Sequence, residues 1–397
     1  MGRSGKIFGI TPNVFFLGIV SFFNDVSSEM VKAVMPVFLT TFLGATPAFI
    51  GFLDGASDAV ASILRMFSGW LSDRMGKRKK LAVIGYGLSL LTRVFLIIVS
   101  GVWQVFTLRI VDRIGKGVRE APRDALISES VEDKEASRSF GFQRALDAFG
   151  GVVGPLLALL ILPAVHSEYR TFFLIAAILG VLAIGSFHFV KDHVTAPGLR
   201  PQNQLKTILS LKHFDSRFRL YLTSVFMFGL GCMPVALVVL RAGELKNVPI
   251  LYFVYAISSW VFAAFAAKLA DSIGRRKTLV LGFIVAVLSY LVLAGSSTMY
   301  VMSIGMILLG AYSGLTDGIA RAFASKLLAN HHLGAGHGLL QAAVGLSSLI
   351  SGTVGGLVWT MLGSTAAFFG GAGFMALGLV IFLLVDYRAK EEMIRIG

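Results

Sequence analysis

Asp25 and Glu29 stand four residues apart in VSFFNDVSSEMVK, and Asp54 and Asp58 repeat that spacing in GFLDGASDAVASILR. Four residues is about one helical turn, so each pair lies on one face of its helix. Asn24, Ser28 and Lys32 share the first face, and Gly51, Ser62 and Arg65 share the second. A third stretch, RIVDRIGKGVREAPRDA, holds Arg109, Asp112, Arg113, Lys116, Arg119, Glu120, Arg123 and Asp124. At about 100° per residue these charges fall within an arc of about 140°. Ile110, Val111, Ile114, Val118, Ala121 and Ala125 fill the other side. Carboxylates crowded in a low dielectric are costly to ionise together, which suits Asp25, Glu29, Asp54 and Asp58 to carrying protons. Lys32, Arg65 or Arg93 beside them would oppose that tendency. Arginine does not release its proton and holds anions bidentately. Asn24, Arg93, Arg109, Asp112, Arg113, Lys116 and Arg119 are therefore candidates for a solute-binding wall. The same charges also suit a static ion-pair network, and both readings stay open at this stage.

The elements that must carry these faces are membrane helices. The chain has 397 residues, 55% hydrophobic and only 15% charged, against about 25% charged in soluble domains. Twelve spans are expected near 12–42, 46–71, 80–101, 103–126, 138–163, 169–190, 217–241, 248–271, 277–296, 299–328, 334–362 and 364–386. Most reach the roughly 20 residues a bilayer requires. The fold class is thus an all-α polytopic membrane protein.

The net charge of +14 does not signal nucleic acid, because the basic residues gather in short loops. Arg74, Lys77, Arg78, Lys79 and Lys80 lie between spans two and three, and Arg275, Arg276 and Lys277 between spans eight and nine. The alternate loops, such as LGATP at 43–47, are nearly uncharged. The basic loops and both termini are expected on the cytoplasmic side of a cell (inner) membrane. Cys232 is the single cysteine, so no intramolecular disulfide forms. No Walker loop, metal-ligand spacing or nucleophile arrangement is present, so neither ATP drive nor enzyme chemistry is expected.

The chain repeats itself. GWLSDRMGKRKKL (69–81) corresponds to AKLADSIGRRKTL (267–279), a shift of 198 that also pairs Arg123 with Arg321, Gln143 with Gln341 and Gly154 with Gly352. Residues 1–190 and 218–397 read as two six-helix bundles of the same sidedness, a parallel repeat joined by a central cytoplasmic loop at 191–217.

GWLSDRMGKRKKL resembles the loop signature of the major facilitator superfamily, and its weaker second copy at half-chain spacing is also typical of that superfamily. The resemblance covers the whole chain. It implies two bundles that rock about a midplane site, clasped at the cytoplasmic gate by Gly69, Asp73, Arg74, Gly76 and Arg78 and, in the second copy, by Asp271 and Gly274. Span five is similar to the superfamily's antiporter motif, with Gly141, Gly150, Gly154 and Pro155 at the expected spacings; Ala158 and Leu159 replace its final glycine pair. In span four, Asp112 and Arg113 stand where proton-coupled members have Gln-Gly after the arginine matched by Arg109.

The expected function is secondary active transport of a small organic anion or zwitterion by proton-coupled antiport, exporting the solute. The alternatives are proton-coupled uptake of an organic anion and a non-transporting membrane sensor of the same fold. The expected partners are the solute, protons and the lipid bilayer, with no cofactor beyond the proton gradient, no metal and no nucleic acid, and the protein acting as a monomer.

Overall fold

The computed structural model describes residues 7, 10–75, 78–192, 214–242, 247–328 and 333–385, with the backbone alone at 65–75, 133, 134, 136, 137 and 333. Twelve long helices follow one another: α1 (Pro12–Val37), α2 (Pro47–Met75), α3 (Arg78–Leu96), α4 (Val102–Glu129), α5 (Asp133–Ala164) and α6 (Tyr169–Ser186). Then come α7 (Ser216–Gly231), α8 (Val248–Ile273), α9 (Arg275–Gly295), α10 (Met299–Leu327), α11 (Leu333–Leu362) and α12 (Ser364–Leu383). Among the described residues, ten spans are long and apolar enough to cross a membrane. The two that fall short are α3, with Arg78, Lys79, Lys80 and Arg93, and α4, which carries the charged arc. Charge dilutes their hydropathy, but both pack against neighbouring helices, α3 on α4 and α6, and α4 also on α2.

Local chemistry sets the ends and breaks of these helices. Pro12 opens α1, where its missing N–H costs no hydrogen bond. Gly274 (φ 90°) turns α8 into α9, and Gly363 (φ 88°) turns α11 into α12; that region favours glycine. Span seven breaks before Pro234 and resumes as the short helix Val235–Val239. The break frees the Met233 N–H, which donates to the Tyr290 hydroxyl at 2.7 Å. Within a bilayer such a group must find a protein partner.

The first six helices pack as α1 on α5 and α6, α3 on α4, and α2 on α4. The last six pack as α8 on α10, α9 on α10 and α12, and α7 on α11 and α12. Across these two sets, α2 lies along α11, α5 crosses α8, and α1 touches α8. The α2–α11 contact runs backbone to backbone. A Cβ on Gly51 would collide with the Gly352 carbonyl, and one on Gly356 would come within 2.7 Å of the Pro47 carbonyl. The contact continues to Gly345 against Ser62. Small residues let membrane helices approach this closely. The seam runs from Pro47, at the start of α2, to Ser62.

Candidate functional site

The charged face of α4 meets that of α2, and the polar face of α1 meets α3. Arg109 donates to Asp54 at 3.0 Å, and both side chains are largely buried. Arg93, on α3 and buried, donates to the Asn24 amide oxygen at 2.9 Å, and the Asn24 amide N–H donates to Asp25 at 3.1 Å. Asn24 thus bridges an arginine and a carboxylate. Asp112 is buried within electrostatic reach of Arg93, Arg109, Arg113 and Arg119. Ser28, Thr92, Arg93, Arg109 and Asp112 line a void of about 20 Å³. That is room for about one water and far too little for an organic solute. A larger hollow of about 350 Å³ lies among Phe38, Phe42, Leu96, Tyr169 and Phe173, and none of the candidate residues lines it.

The rest of the α4 arc divides between neighbours. Arg119 turns toward α3, donating to Ser89 at 2.6 Å with its guanidinium 4.6 Å from the Tyr86 ring centroid. Arg123 reaches Asp147 on α5 at 3.4 Å and Asp124 at 3.0 Å, and Gln143 holds the same Asp147 carboxylate at 2.5 Å. Lys116 lies 3.8 Å from Glu120. Arg113 differs from the others. It is only 5% exposed, its Nε has no hydrogen-bond partner among the described residues, and the carboxylates of Asp112 and Glu29 lie within its electrostatic reach.

Glu29 lies within electrostatic reach of Lys32, Lys116 and, most weakly, Arg113. One Glu29 oxygen accepts from Lys32. The other accepts from the Tyr252 hydroxyl of α8 at 3.2 Å. This carboxylate therefore joins α1 to the second set of helices. Asp58 is exposed and accepts from Ser348 of α11 at 3.4 Å, a second bond across the same divide.

The helix-five glycines are used unequally. A Cβ on Gly154 would lie 2.7 Å from the Glu29 Cβ and the Val26 carbonyl, and one on Gly150 would lie 3.0 Å from the Phe22 carbonyl. Gly141 has nothing within 4 Å. Pro155 is buried beside Gly154. Two of the three motif glycines thus seat α5 against the acidic face of α1.

At the end of the bundle that holds the termini, Gly69, Asp73 and Arg74 lie in the last turns of α2, where the backbone alone is described, and Gly76 lies outside the described residues. Arg78 pairs with Glu129 of α4 at 2.6 Å. Asp271 is exposed in the last turn of α8, next to the Gly274 turn. Arg275 donates to the Ala322 carbonyl and Arg276 to the Leu383 carbonyl.

The family model described as the Major Facilitator Superfamily matches residues 17–243 and again 243–395. The chain belongs to the major facilitator superfamily. It is an integral membrane transporter, and the all-α polytopic fold expected from sequence is borne out. It is 29% identical over 389 residues to the MFS-type transporter MJ1317 of Methanocaldococcus jannaschii, covering 94% of this chain and 95% of that one. It is also 29% identical over 183 residues to the class B tetracycline resistance protein of Escherichia coli, covering 45% and 44%. A crystal structure of a variant of the nucleoside transporter NupG superposes with a TM-score of 0.81 at 14% identity, covering 94% of this chain and 100% of that one.

The bonds at Glu29 and Asp58 both join the first six helices to the last six. Sequence reasoning reached Glu29 and Asp58 but not their partners Tyr252 and Ser348, nor Tyr86 and Ser89 under Arg119. Those residues sit in apolar runs without a polar period, so no local signal marks them.

Proposed function

We propose that this transporter exports a zwitterionic organic solute in exchange for protons, by alternating access of two bundles, residues 1–190 and 218–397. The observation that carries the reading is the buried Arg113, whose Nε has no hydrogen-bond partner among the described residues, within electrostatic reach of the Glu29 carboxylate that Tyr252 also holds. A buried guanidinium is costly to leave unpaired, and an anionic group on the solute compensates it bidentately. The solute's cationic end then competes with a proton for the α1 carboxylates, Glu29 and Asp25. Mutually exclusive occupancy of one carboxylate by proton or solute is what exchange requires. The α5 glycines that seat this carboxylate and the kinship with a tetracycline resistance protein support export. The basic loops support cytoplasmic termini in the cell membrane, and the protein acts as a monomer.

Proton-coupled uptake of a purely anionic solute is the second reading. Lys32 paired with Glu29, and Arg113 within its electrostatic reach, favour it, because neutralising Glu29 leaves excess positive charge for an anion to join. Purified protein in liposomes with an imposed pH gradient and an interior pH dye separates the two. Zwitterions are expected to drive proton movement opposite to solute movement, and Arg113→Gln is expected to abolish it in folded protein. Anion-driven movement of both in the same direction replaces export with uptake, and response to cations alone defeats both readings.

A further inference from the structure

Helix α5 lies along α1 in a fixed register. A Cβ on Gly150 would meet the Asp25 Cβ at 3.2 Å, and one on Gly154 would meet the Glu29 Cβ at 2.7 Å. Both pairs have the same offset in number, so the two helices run side by side in one direction. One turn before Gly150, α5 carries Asp147. Hydrogen bonds place this residue in the same seam. Gln143 donates to the Asp147 Oδ2 at 2.5 Å and to the Ser21 hydroxyl of α1 at 3.5 Å. Arg123 of α4 donates to the same two atoms at 3.4 Å and 3.2 Å. Asp147, Asp25 and Glu29 thus stand at successive turns, spaced by about 5 Å along the seam, leading inward from the end that holds the termini.

The two oxygens of Asp147 are unlike. Oδ2 takes both hydrogen bonds, whereas Oδ1 is buried and has no hydrogen-bond partner among the described residues. A buried, unsatisfied carboxylate oxygen is costly, and a proton on the group removes the charge that makes it so. The side chain as a whole is 26% exposed, so solvent also touches it. On α4, Arg123 is itself paired with Asp124, and Lys116 and Glu120 pair a turn away. On α1, Asp25 is the neighbouring carboxylate, and Tyr86 of α3 meets Ser21 at 3.2 Å. Arg144 of α5 itself is exposed. Helices α6 and α8, which also touch α5, carry charge only near their ends, at Arg170, Lys268 and Asp271.

We propose that Asp147 is the exit step for the exchanged proton, receiving it from Glu29 through Asp25 and releasing it to water at the end that holds the termini. This rests on the exchange reading above and adds a residue to its proton path. A solute that displaces the proton arrives at the Glu29 carboxylate itself, whereas α5 packs against the Glu29 Cβ. A proton that leaves along the α1–α5 seam therefore does not meet the incoming solute. Each step moves one proton between carboxyl groups, leaving the donor ionised and the acceptor neutral. When Asp147 gives up its proton, Arg123 and Gln143 hold the ionised form.

Time-resolved infrared spectroscopy of the full chain in lipid tests this with protons alone as the probe. An alkaline pH jump is followed in the carbonyl band of protonated carboxyls, and the Glu29 component is the one that Glu29→Gln removes. Asp147→Asn is expected to slow the loss of that component about a hundredfold, the low end of what a positioned proton acceptor contributes. Asp147→Glu is expected to keep the rate near wild type. Asparagine preserves the shape and glutamate preserves the proton site, so a merely structural role for Asp147 gives the opposite order. A wild-type rate in Asp147→Asn overturns the exit path and leaves exchange at Glu29 intact. If Glu29→Gln removes no component, exchange at Glu29 is overturned and this path with it.

Discussion

Gly154 is the position where packing and coupling meet, and replacing it by alanine tests both. The new Cβ would lie 2.7 Å from the Glu29 Cβ, from the Val26 carbonyl at the same distance, and 3.0 Å from the Met30 N. The first two are about 0.7 Å inside the 3.4 Å at which ordinary contact begins. Two of these neighbours are backbone, so α1 and α5 must separate rather than a side chain turn aside. Overpacking of this kind costs about 1–3 kcal/mol. The displaced residue is Glu29, whose bond to Tyr252 is already 3.2 Å long. A further shift of about 0.7 Å along that direction takes the pair out of hydrogen-bonding range. The expected result is a lower melting temperature in detergent, together with loss of solute-driven proton flux in liposomes. Gly151→Ala, with nothing within 4 Å, serves as the control and is expected to behave as wild type. The reasoning is refuted if Gly154→Ala melts and transports like Gly151→Ala.

Asp54→Asn leaves Arg109 as a buried charge without its carboxylate, at an expected cost of about 3–5 kcal/mol. Adding Arg109→Gln should recover most of that stability, and a double-mutant cycle of melting free energies reads the coupling. Gly352→Ala places a methyl group against the Gly51 carbonyl. It should shift cysteine-labelling accessibility toward the end of the bundle opposite the termini, because the α2–α11 seam no longer closes; unchanged labelling would contradict that.

The architecture was largely legible in the sequence because each span is a long apolar run, and the constant shift of 198 exposed the repeat. The charged arc of α4 was legible as a face, since the 3.6-residue period needs no knowledge of neighbours. Which neighbour each charge meets was not legible. Arg109, Arg113 and Arg119 share one face, yet one pairs with Asp54, one leaves its Nε without a hydrogen-bond partner among the described residues and one stacks on Tyr86. Rotamer and depth separate them, and periodicity encodes neither. Tyr252, which holds Glu29 from α8, had no signature at all, because a phenol within an apolar span reads like any other large side chain. Of the helix-five motif glycines, Gly150 and Gly154 lie against α1 while Gly141 stands in open space, a difference that spacing alone does not encode.

The most direct test of exchange is proton flux through Glu29→Gln. Glutamine keeps the shape and can still accept from Tyr252, but it neither binds a proton nor pairs with a cation. In liposomes the variant is expected to bind solute while solute addition no longer moves protons across the membrane. Wild-type proton flux in Glu29→Gln, with solute transport intact, would contradict the account.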